Sequence, residues 1–240
     1  MKRIVIAGVL ALVAGGQALA ADLPMPAPVR GPAVYAPIVA PVPYSWTGFY
    51  IGINGGGAFG NSNWLDPVLG NSGNFNTSGF LIGGTVGANY QIGRFVLGVE
   101  GDGDWQNLDG TTTGGSCAGQ GCETKSNWLA TVRGRAGYAW DRVLFYGTGG
   151  AAFANVQAGA GALPFSSSTQ TGWTAGAGVE YAFAPNWTAK VEYLFVDLQN
   201  ASCPVGSCGS TTTTVSLNEN IIRGGVNFKF GGPGGFGFGW

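Results

Sequence analysis

The regular part of this chain ends in an alternating segment, residues 222–230, which restricts the fold more than any other feature. One set of alternate positions is apolar or aromatic: Ile222, Val226, Phe228 and Phe230. The other set holds polar residues: Arg223, Asn227 and Lys229. Because successive side chains of a strand point to opposite faces, the segment predicts a strand between a polar and an apolar environment. Soluble strands can show the same alternation, so the rest of the chain must decide which apolar environment this is.

Residues 1–20 have the three parts of a secretory signal peptide. Residues 2 and 3 are Lys and Arg, residues 4–13 form a short apolar run, and residues 18–20 read Ala-Leu-Ala, a small-x-small cleavage site. The mature chain is therefore expected to begin at Ala21. A transmembrane anchor is the alternative, but the apolar run is too short to span a bilayer.

No later stretch approaches the roughly 18 consecutive apolar residues of a transmembrane helix. Since only helices and closed barrels satisfy their backbone hydrogen bonds in lipid, a membrane form of the mature chain must be a closed barrel. Charged residues make up only 10% of the chain. Without Lys2 and Arg3, the 11 basic and 12 acidic residues become 9 and 12, a net charge of −3. Such a balance gives no basic surface for nucleic acid.

Prolines at positions 24, 26, 28, 32, 37, 41 and 43 favour an extended, unpacked segment before the first strand. The predicted organisation is a signal peptide at 1–20, a proline-rich periplasmic linker at 21–46, a barrel at 47–230, and a tail of Gly and aromatic residues at 231–240.

Alternating segments recur from Thr47 onward, and eight of them have the roughly ten-residue length of a membrane-crossing strand. The first begins near Phe49, and the others are Phe80–Tyr90, Phe95–Gln106, Asn127–Ala139, Val143–Asn155, Gly172–Phe183, Trp187–Val196 and Ile221–Phe230. Tight turns at 91–94, 141–142 and 184–186 alternate with long segments near 60–79, 107–126, 156–171 and 197–219. Short periplasmic turns and long outer loops are typical of outer-membrane barrels. The predicted fold is all-β, an eight-stranded antiparallel up-and-down transmembrane β-barrel, with a soluble barrel or sandwich as the alternative.

Aromatic residues fall at two levels of these strands, which is typical of interfacial girdles. Near the loop ends they are Trp105, Trp128, Trp173 and Phe195. Near the turn ends they are Phe49, Tyr138, Trp140, Phe183, Trp187, Phe228 and Phe230.

Longer motifs carry a family resemblance. They are Trp46-Thr-Gly-Phe-Tyr-Ile-Gly52, Gly98-Val-Glu-Gly-Asp102, the run from Trp128 to Ala151, and the run from Gly172 to Leu198. Together they resemble the small outer-membrane immunogenic (porin-family) barrels of alphaproteobacteria over about residues 44–230. The resemblance implies an eight-stranded barrel in the bacterial outer membrane, and it does not imply one agreed activity. The sequence departs from the family's usual ending, because ten residues follow Phe230.

The terminal pattern of such barrels is matched by Arg223, Gly225, Phe228 and Phe230, which are predicted to act as the assembly signal. The expected partners are therefore outer-membrane lipid and the barrel assembly machinery.

Ten charged residues of the predicted strands share one set of alternate positions: Glu100, Asp102, Asp104, Arg133, Arg135, Glu180, Lys190, Glu192, Arg223 and Lys229. Charge on the lipid face costs about 2–4 kcal/mol per Arg or Lys at mid-membrane, so these residues are predicted to face the lumen. An eight-stranded barrel is only wide enough to be filled by side chains. Five acids and five bases in that space favour an internal ion-pair network, and a narrow ion-selective path is the alternative.

Other chemistry finds little support in the residues. Asp102, Asp104 and Asp109 lack the spacing of an EF-hand calcium loop. The chain has no His, which removes Ser-His-Asp catalysis and the commonest metal ligand. No enzyme activity, metal or cofactor is predicted.

The four cysteines form two identically spaced pairs, Cys117 with Cys122 and Cys203 with Cys208, in predicted outer loops. An exported chain is expected to form disulfides, and two local bridges are predicted among three possible connectivities. A four-cysteine zinc site is the alternative.

Two functions remain open from the sequence. The first is a structural or porin-like outer-membrane barrel. The second is a surface adhesin or ligand-binding protein that acts through its four outer loops on an unknown surface ligand.

Overall fold

The computed structural model describes residues 43–68, 70–114, 117, 121–205, 207 and 212–230. In this part the chain forms eight long strands and one two-residue strand. They are β1 Gly48–Asp66, β2 Gly70–Asn71, β3 Phe75–Ile92, β4 Phe95–Thr112, β5 Cys122–Trp140, β6 Val143–Ala160, β7 Ser166–Ala182, β8 Trp187–Cys203 and β9 Thr213–Phe230. The predicted signal peptide, most of the predicted linker and the predicted tail lie outside the described residues.

The eight long strands close into an antiparallel barrel. Each long strand pairs with the next along the chain, and β9 returns to pair with β1 from Phe49 opposite Phe230 to Leu65 opposite Thr214. The short strand β2 pairs only with the outer end of β1, at Leu65 and Asp66. Closure leaves none of the eight long strands with an unpaired edge, as a barrel in lipid requires. The predicted fold is confirmed.

The strands are much longer than predicted. They contain 17 to 19 residues each, so the connections at the loop end shrink to 67–74, 113–121, 161–165 and 204–212. The loop boundaries predicted from the sequence were wrong because Gly, Ser, Thr and Asn dominate those segments. Within these predicted loops, alternate residues are nevertheless buried inside the barrel. The strands therefore continue beyond the lipid.

Short turns lie at the opposite end of the barrel, the turn end. Two of them contain two residues, Gly93-Arg94 and Asp141-Arg142. Gly93 has a φ of 62° and Asp141 a φ of 51°, the left-handed region that Gly adopts freely and Asp tolerates. Backbone geometry therefore explains these residue types at the turns predicted from the sequence.

Candidate functional site: the barrel interior

All ten predicted lumen charges face the interior, and each is at most 7% exposed. The alternation of buried and exposed residues along each strand places them there. Their outward neighbours are apolar, for example Val99 at 63% and Val132 at 64% exposed. The charges therefore lie behind a wall whose outer surface is hydrophobic.

Arg133 on β5 sits at the centre of the charged network. Its guanidinium lies 2.6 Å from the Glu100 carboxylate, 2.8 Å from that of Asp102 and 3.0 Å from that of Glu192. Glu100 is its direct cross-strand partner, whereas Glu192 belongs to β8, which does not neighbour β5. Arg133 thus joins opposite walls of the barrel.

Arg223 on β9 makes a second set of bonds across the lumen. It contacts Asp104 at 2.9 Å and Glu192 at 2.8 Å, and it also pairs with Asp102. Since charge-assisted Arg–carboxylate pairs are strong and geometrically specific, these contacts fix the packing of β4 against β8 and β9. The same contacts pair Asp102 and Asp104, the two carboxylates that were compared with a calcium-binding loop, with an arginine.

Arg135 is held by two tyrosines as well as by acids. Its guanidinium pairs with Glu180 and lies 3.5 Å from Glu100. It also stacks 3.7 Å from the centroid of the Tyr146 ring and donates a 3.1 Å hydrogen bond to the Tyr50 hydroxyl. Stacking of this kind suits the planar guanidinium better than an ammonium group.

Glycines make room for both tyrosine rings. A Cβ at Gly87 would overlap the Tyr50 ring, and a Cβ at Gly178 would overlap the Tyr146 ring. Sequence reasoning missed these tyrosines, although Tyr50 shares the alternation of the inward-facing residues of β1.

Lys229 does not belong to the network but to a plug at the turn end. Its ammonium donates to the backbone carbonyl of Ser45 and lies 4.2 Å from the centroid of the Tyr44 ring. Burial, with a further contribution from the nearby Glu180 carboxylate, raises the pKa of Tyr44 to about 12. The hydroxyl of Tyr44 therefore stays neutral at physiological pH.

Trp46 completes this plug. It is 1% exposed, its indole N–H donates to the Asp141 carbonyl at 3.1 Å, and its backbone N–H donates to the Gln91 side chain at 2.7 Å. Tyr44 and Trp46 were assigned to the linker from composition, but here they pack against the barrel. The proline content of the segment predicted an unpacked linker, and it gave no indication that its last aromatic residues pack against the barrel mouth.

The loop-end part of the interior is mainly apolar, with smaller polar side chains such as Ser62, Thr124 and Ser126 buried within it. Large side chains that are at most 2% exposed fill it: Trp64, Leu81, Leu108, Leu129, Leu194, Leu198, Leu217 and Ile221. Within it lies one acid that sequence reasoning missed, Glu219, which is 0% exposed and accepts a 3.4 Å hydrogen bond from Gln106. Glu219 shares the alternation of Arg223, and that signal could have identified it.

Two aromatic rings surround the outer wall. Five pairs of outward-facing aromatic residues, one at the turn end and one at the loop end, are ten positions apart in the sequence. Four pairs lie within β1, β3, β4 and β5, and the fifth joins β7 to the turn after it. The pairs are Phe49 with Phe59, Tyr90 with Phe80, Phe95 with Trp105, Tyr138 with Trp128, and Phe183 with Trp173. Ten residues of tilted strand rise roughly 25 Å, which is the height of the apolar band of such barrels. Phe59, Phe80, Trp105, Trp128 and Trp173, with Phe153 and Phe195, form the loop-end ring.

Cys117 and Cys122 form a disulfide with a Cα–Cα distance of 5.4 Å, as the spacing predicted. Cys203 is buried at the end of β8, and Cys208 lies outside the described residues, so that pairing stays a prediction. Among the described residues no group of three or more His, Cys, Asp or Glu side chains is placed to hold a metal ion.

The predicted assembly residues lie at both faces of β9. Phe228 packs on Trp187 and on Phe230, each with ring centroids 5.1 Å apart. Arg223 belongs to the lumen network, and Gly225 is covered by neighbouring strands. Their role in assembly stays a prediction.

In the described part of the chain, no helix is long and apolar enough to cross a membrane. Residues 9–230 match the family described as "Outer membrane protein beta-barrel domain". The chain is 37% identical to the 31 kDa outer-membrane immunogenic protein of Brucella melitensis biotype 1, covering 96% of this chain and 100% of that protein. It is 36% identical to the 22 kDa outer membrane protein of Rhizobium leguminosarum bv. viciae, covering 78% and 79% of the two chains.

Among solved structures, the outer membrane protein OprG from Pseudomonas aeruginosa shares 14% identity with a TM-score of 0.45, covering 76% of this chain and 97% of that one. Neisserial surface protein A shares 20% identity with a TM-score of 0.38, covering 77% and 98%. The family match and the relatives that align with nearly the whole chain agree with the closed barrel and its two aromatic rings: the chain belongs to the outer-membrane β-barrel protein family and is a protein of the bacterial outer membrane.

Proposed function

We propose that the protein is a structural barrel that does not conduct ions. The observation that carries this proposal is the charged network, in which four cations and five carboxylates join facing walls of the barrel. These nine side chains are Glu100, Asp102, Asp104, Glu180, Glu192, Arg133, Arg135, Lys190 and Arg223, and none is more than 7% exposed. A continuous water column has no room among them, since a barrel of eight strands is only wide enough for side chains.

Two further layers support the same proposal. At the periplasmic end, Trp46 and Tyr44 cover the mouth of the lumen. Towards the outside, the apolar cluster around Leu108 and Leu194 fills the space between the network and the loops. An ion would have to cross an aromatic plug, a set of closed ion pairs and a hydrophobic layer.

We propose no catalytic role for these charges. The chain contains no His, and each of the five carboxylates in the charged network is paired with a cation. The relatives from Brucella are named as outer-membrane immunogenic proteins, and by similarity we propose that the outer loops of this protein are exposed at the cell surface. The second function predicted from the sequence, binding through long loops, has less surface available because those loops are short.

Planar-bilayer recordings on the refolded mature barrel test the proposal. The wild-type protein is expected to give no large, steady conductance. Such a conductance, unchanged in Arg133→Ala and in Glu100→Ala, would show that the network does not close the lumen.

A further inference from the structure

A group of asparagines covers one side of the barrel above the loop-end aromatic ring. Asn61 on β1 is directly opposite Asn76 on β3 and Asn218 on β9. All three point outward, and side chains directly opposite in a sheet lie about 4.5–5.5 Å apart. We call Asn61, Asn76 and Asn218, together with Asn63 and Asn74 just above them, the asparagine patch.

The free amides of this patch offer both donors and acceptors. Asn63 donates to Asn74 at 2.9 Å. Among the described contacts, the side-chain amides of Asn61, Asn76 and Asn218 have no hydrogen-bond partner. Each primary amide carries two donors and one acceptor. A row of three therefore suits a partner that is itself rich in neutral donor–acceptor groups, such as sugar hydroxyls.

The patch lacks the charges that would recognise phosphate. At the described outward-facing positions of β8, β9, β1, β3 and β4 above the ring, none is Lys or Arg, and the charges are two carboxylates, Asp109 opposite Ser78 and Asp197 opposite Asn218. Phosphate recognition uses Arg or Lys. The chemistry of the patch therefore fits uncharged sugars rather than the phosphorylated part of a glycolipid.

The position of the patch decides where such sugars come from. Phe59 lies two residues below Asn61 and is 51% exposed, which marks the lipid boundary. From this ring the strands continue by about six residues, or roughly 15 Å of height at the usual tilt. The patch faces sideways at this height, so its neighbours are molecules that stand beside the barrel in the outer leaflet.

We propose that the asparagine patch binds the neutral core sugars of the lipopolysaccharide that surrounds the barrel. This interaction adds lateral recognition of a glycolipid to the structural role, and it does not depend on whether the lumen conducts. The patch orders the saccharide layer next to β1, β3 and β9, while the aromatic ring below holds the lipid chains.

The test uses the mature chain refolded in micelles that contain one of two lipopolysaccharides. One carries a complete core, and the other is a deep-rough form without neutral core sugars. The readout is the unfolding midpoint, followed by the gel shift of the unheated barrel. At a lipopolysaccharide concentration of about ten times Kd, the form with the complete core is expected to give an unfolding midpoint about 3–6 °C higher than the deep-rough form.

The triple variant Asn61→Ala/Asn76→Ala/Asn218→Ala is expected to lose this difference. The matched control Ser167→Ala/Thr169→Ala/Thr171→Ala removes three outward polar residues at the same height on β7 and is expected to keep it. The single variant Asn61→Ala, expected to lose part of the difference, serves if the triple variant folds poorly.

Three results would overturn the proposal. The first is an equal midpoint with both lipopolysaccharides. The second is an unchanged difference in the triple and single Asn variants. The third is a wild-type dimer in micelles without lipopolysaccharide that the triple variant converts to a monomer, because the patch would then join two copies of this chain.

Discussion

The barrel consists of two regions that are built on opposite principles. In the membrane band, between the aromatic rings, charged side chains face inward and apolar ones face outward. In the outer extension, above the loop-end ring, the large inward-facing side chains are mostly apolar and most outward-facing ones are polar. Strand β9 shows both patterns: Arg223 is buried beside exposed Ile222, whereas Leu217 is buried beside the outward-facing Asn218.

The surrounding solvent explains this inversion. In the band, lipid covers the wall, so the hydrophobic effect gives apolar residues no preference for the inside, and polar residues must pair there. In the extension, water covers the wall, and burial of apolar side chains stabilises the fold as in a soluble protein. The same continuous strands therefore switch pattern at the ring.

Removal of Arg133 should have the largest effect, because the five buried carboxylates of the network would then share three cations, Arg135, Lys190 and Arg223. The expected loss is about 3–5 kcal/mol of unfolding free energy, measured for Arg133→Ala by urea titration of the refolded barrel. Arg142→Ala, in an exposed turn, is the control. A loss below about 1 kcal/mol would mean that the network does not stabilise the band.

A cavity in the outer extension should cost somewhat less. Leu108→Ala removes a side chain that is 2% exposed within the apolar cluster, and the expected loss is about 2–4 kcal/mol. No conductance should appear, since the charged network below remains intact. Leu65→Ala, at an outward position that is 53% exposed, should change little, and equal losses in both variants would contradict a packed outer core.

Glycine substitutions separate the inner and outer faces of the wall. Gly87→Ala would force a methyl group into the Tyr50 ring, at an expected cost of about 1–3 kcal/mol. Gly103→Ala faces outward with no atom within 4 Å of its Cβ and should be nearly neutral. Thermal unfolding of both variants is the measurement. If both melted like the wild type, the close contact between Gly87 and the Tyr50 ring would be refuted.

The smallest effect should come from an ion pair outside the lumen. Lys125 lies 2.7 Å from Glu123, with the two side chains 38% and 34% exposed. Lys125→Ala should cost at most about 1 kcal/mol, and less at high salt. If Lys125→Ala lowered the unfolding free energy as much as Arg133→Ala, solvent-exposed and buried charges would not differ in their contribution to stability.

Much of the membrane band was predictable from the sequence. Alternation placed Glu100, Arg133 and the other eight lumen charges on one face, and the turns at 93–94 and 141–142 carried the residues that their backbone needs. Glu219 could have been found by the same rule. The outer extension was misread because its outward residues, such as Asn61 and Thr169, are typical of loops as well as of strands in water.

The sequence by itself determined the strand number, the order of turns and loops, and the identity of the inward face, because these depend on alternation and on local turn chemistry. The tertiary structure alone decided the partners within the lumen: Arg223 meets Asp104, and Lys229 meets Ser45 and Tyr44. These contacts join residues far apart in the chain. Their geometry follows from the closure, tilt and register of the whole barrel, none of which any single segment encodes.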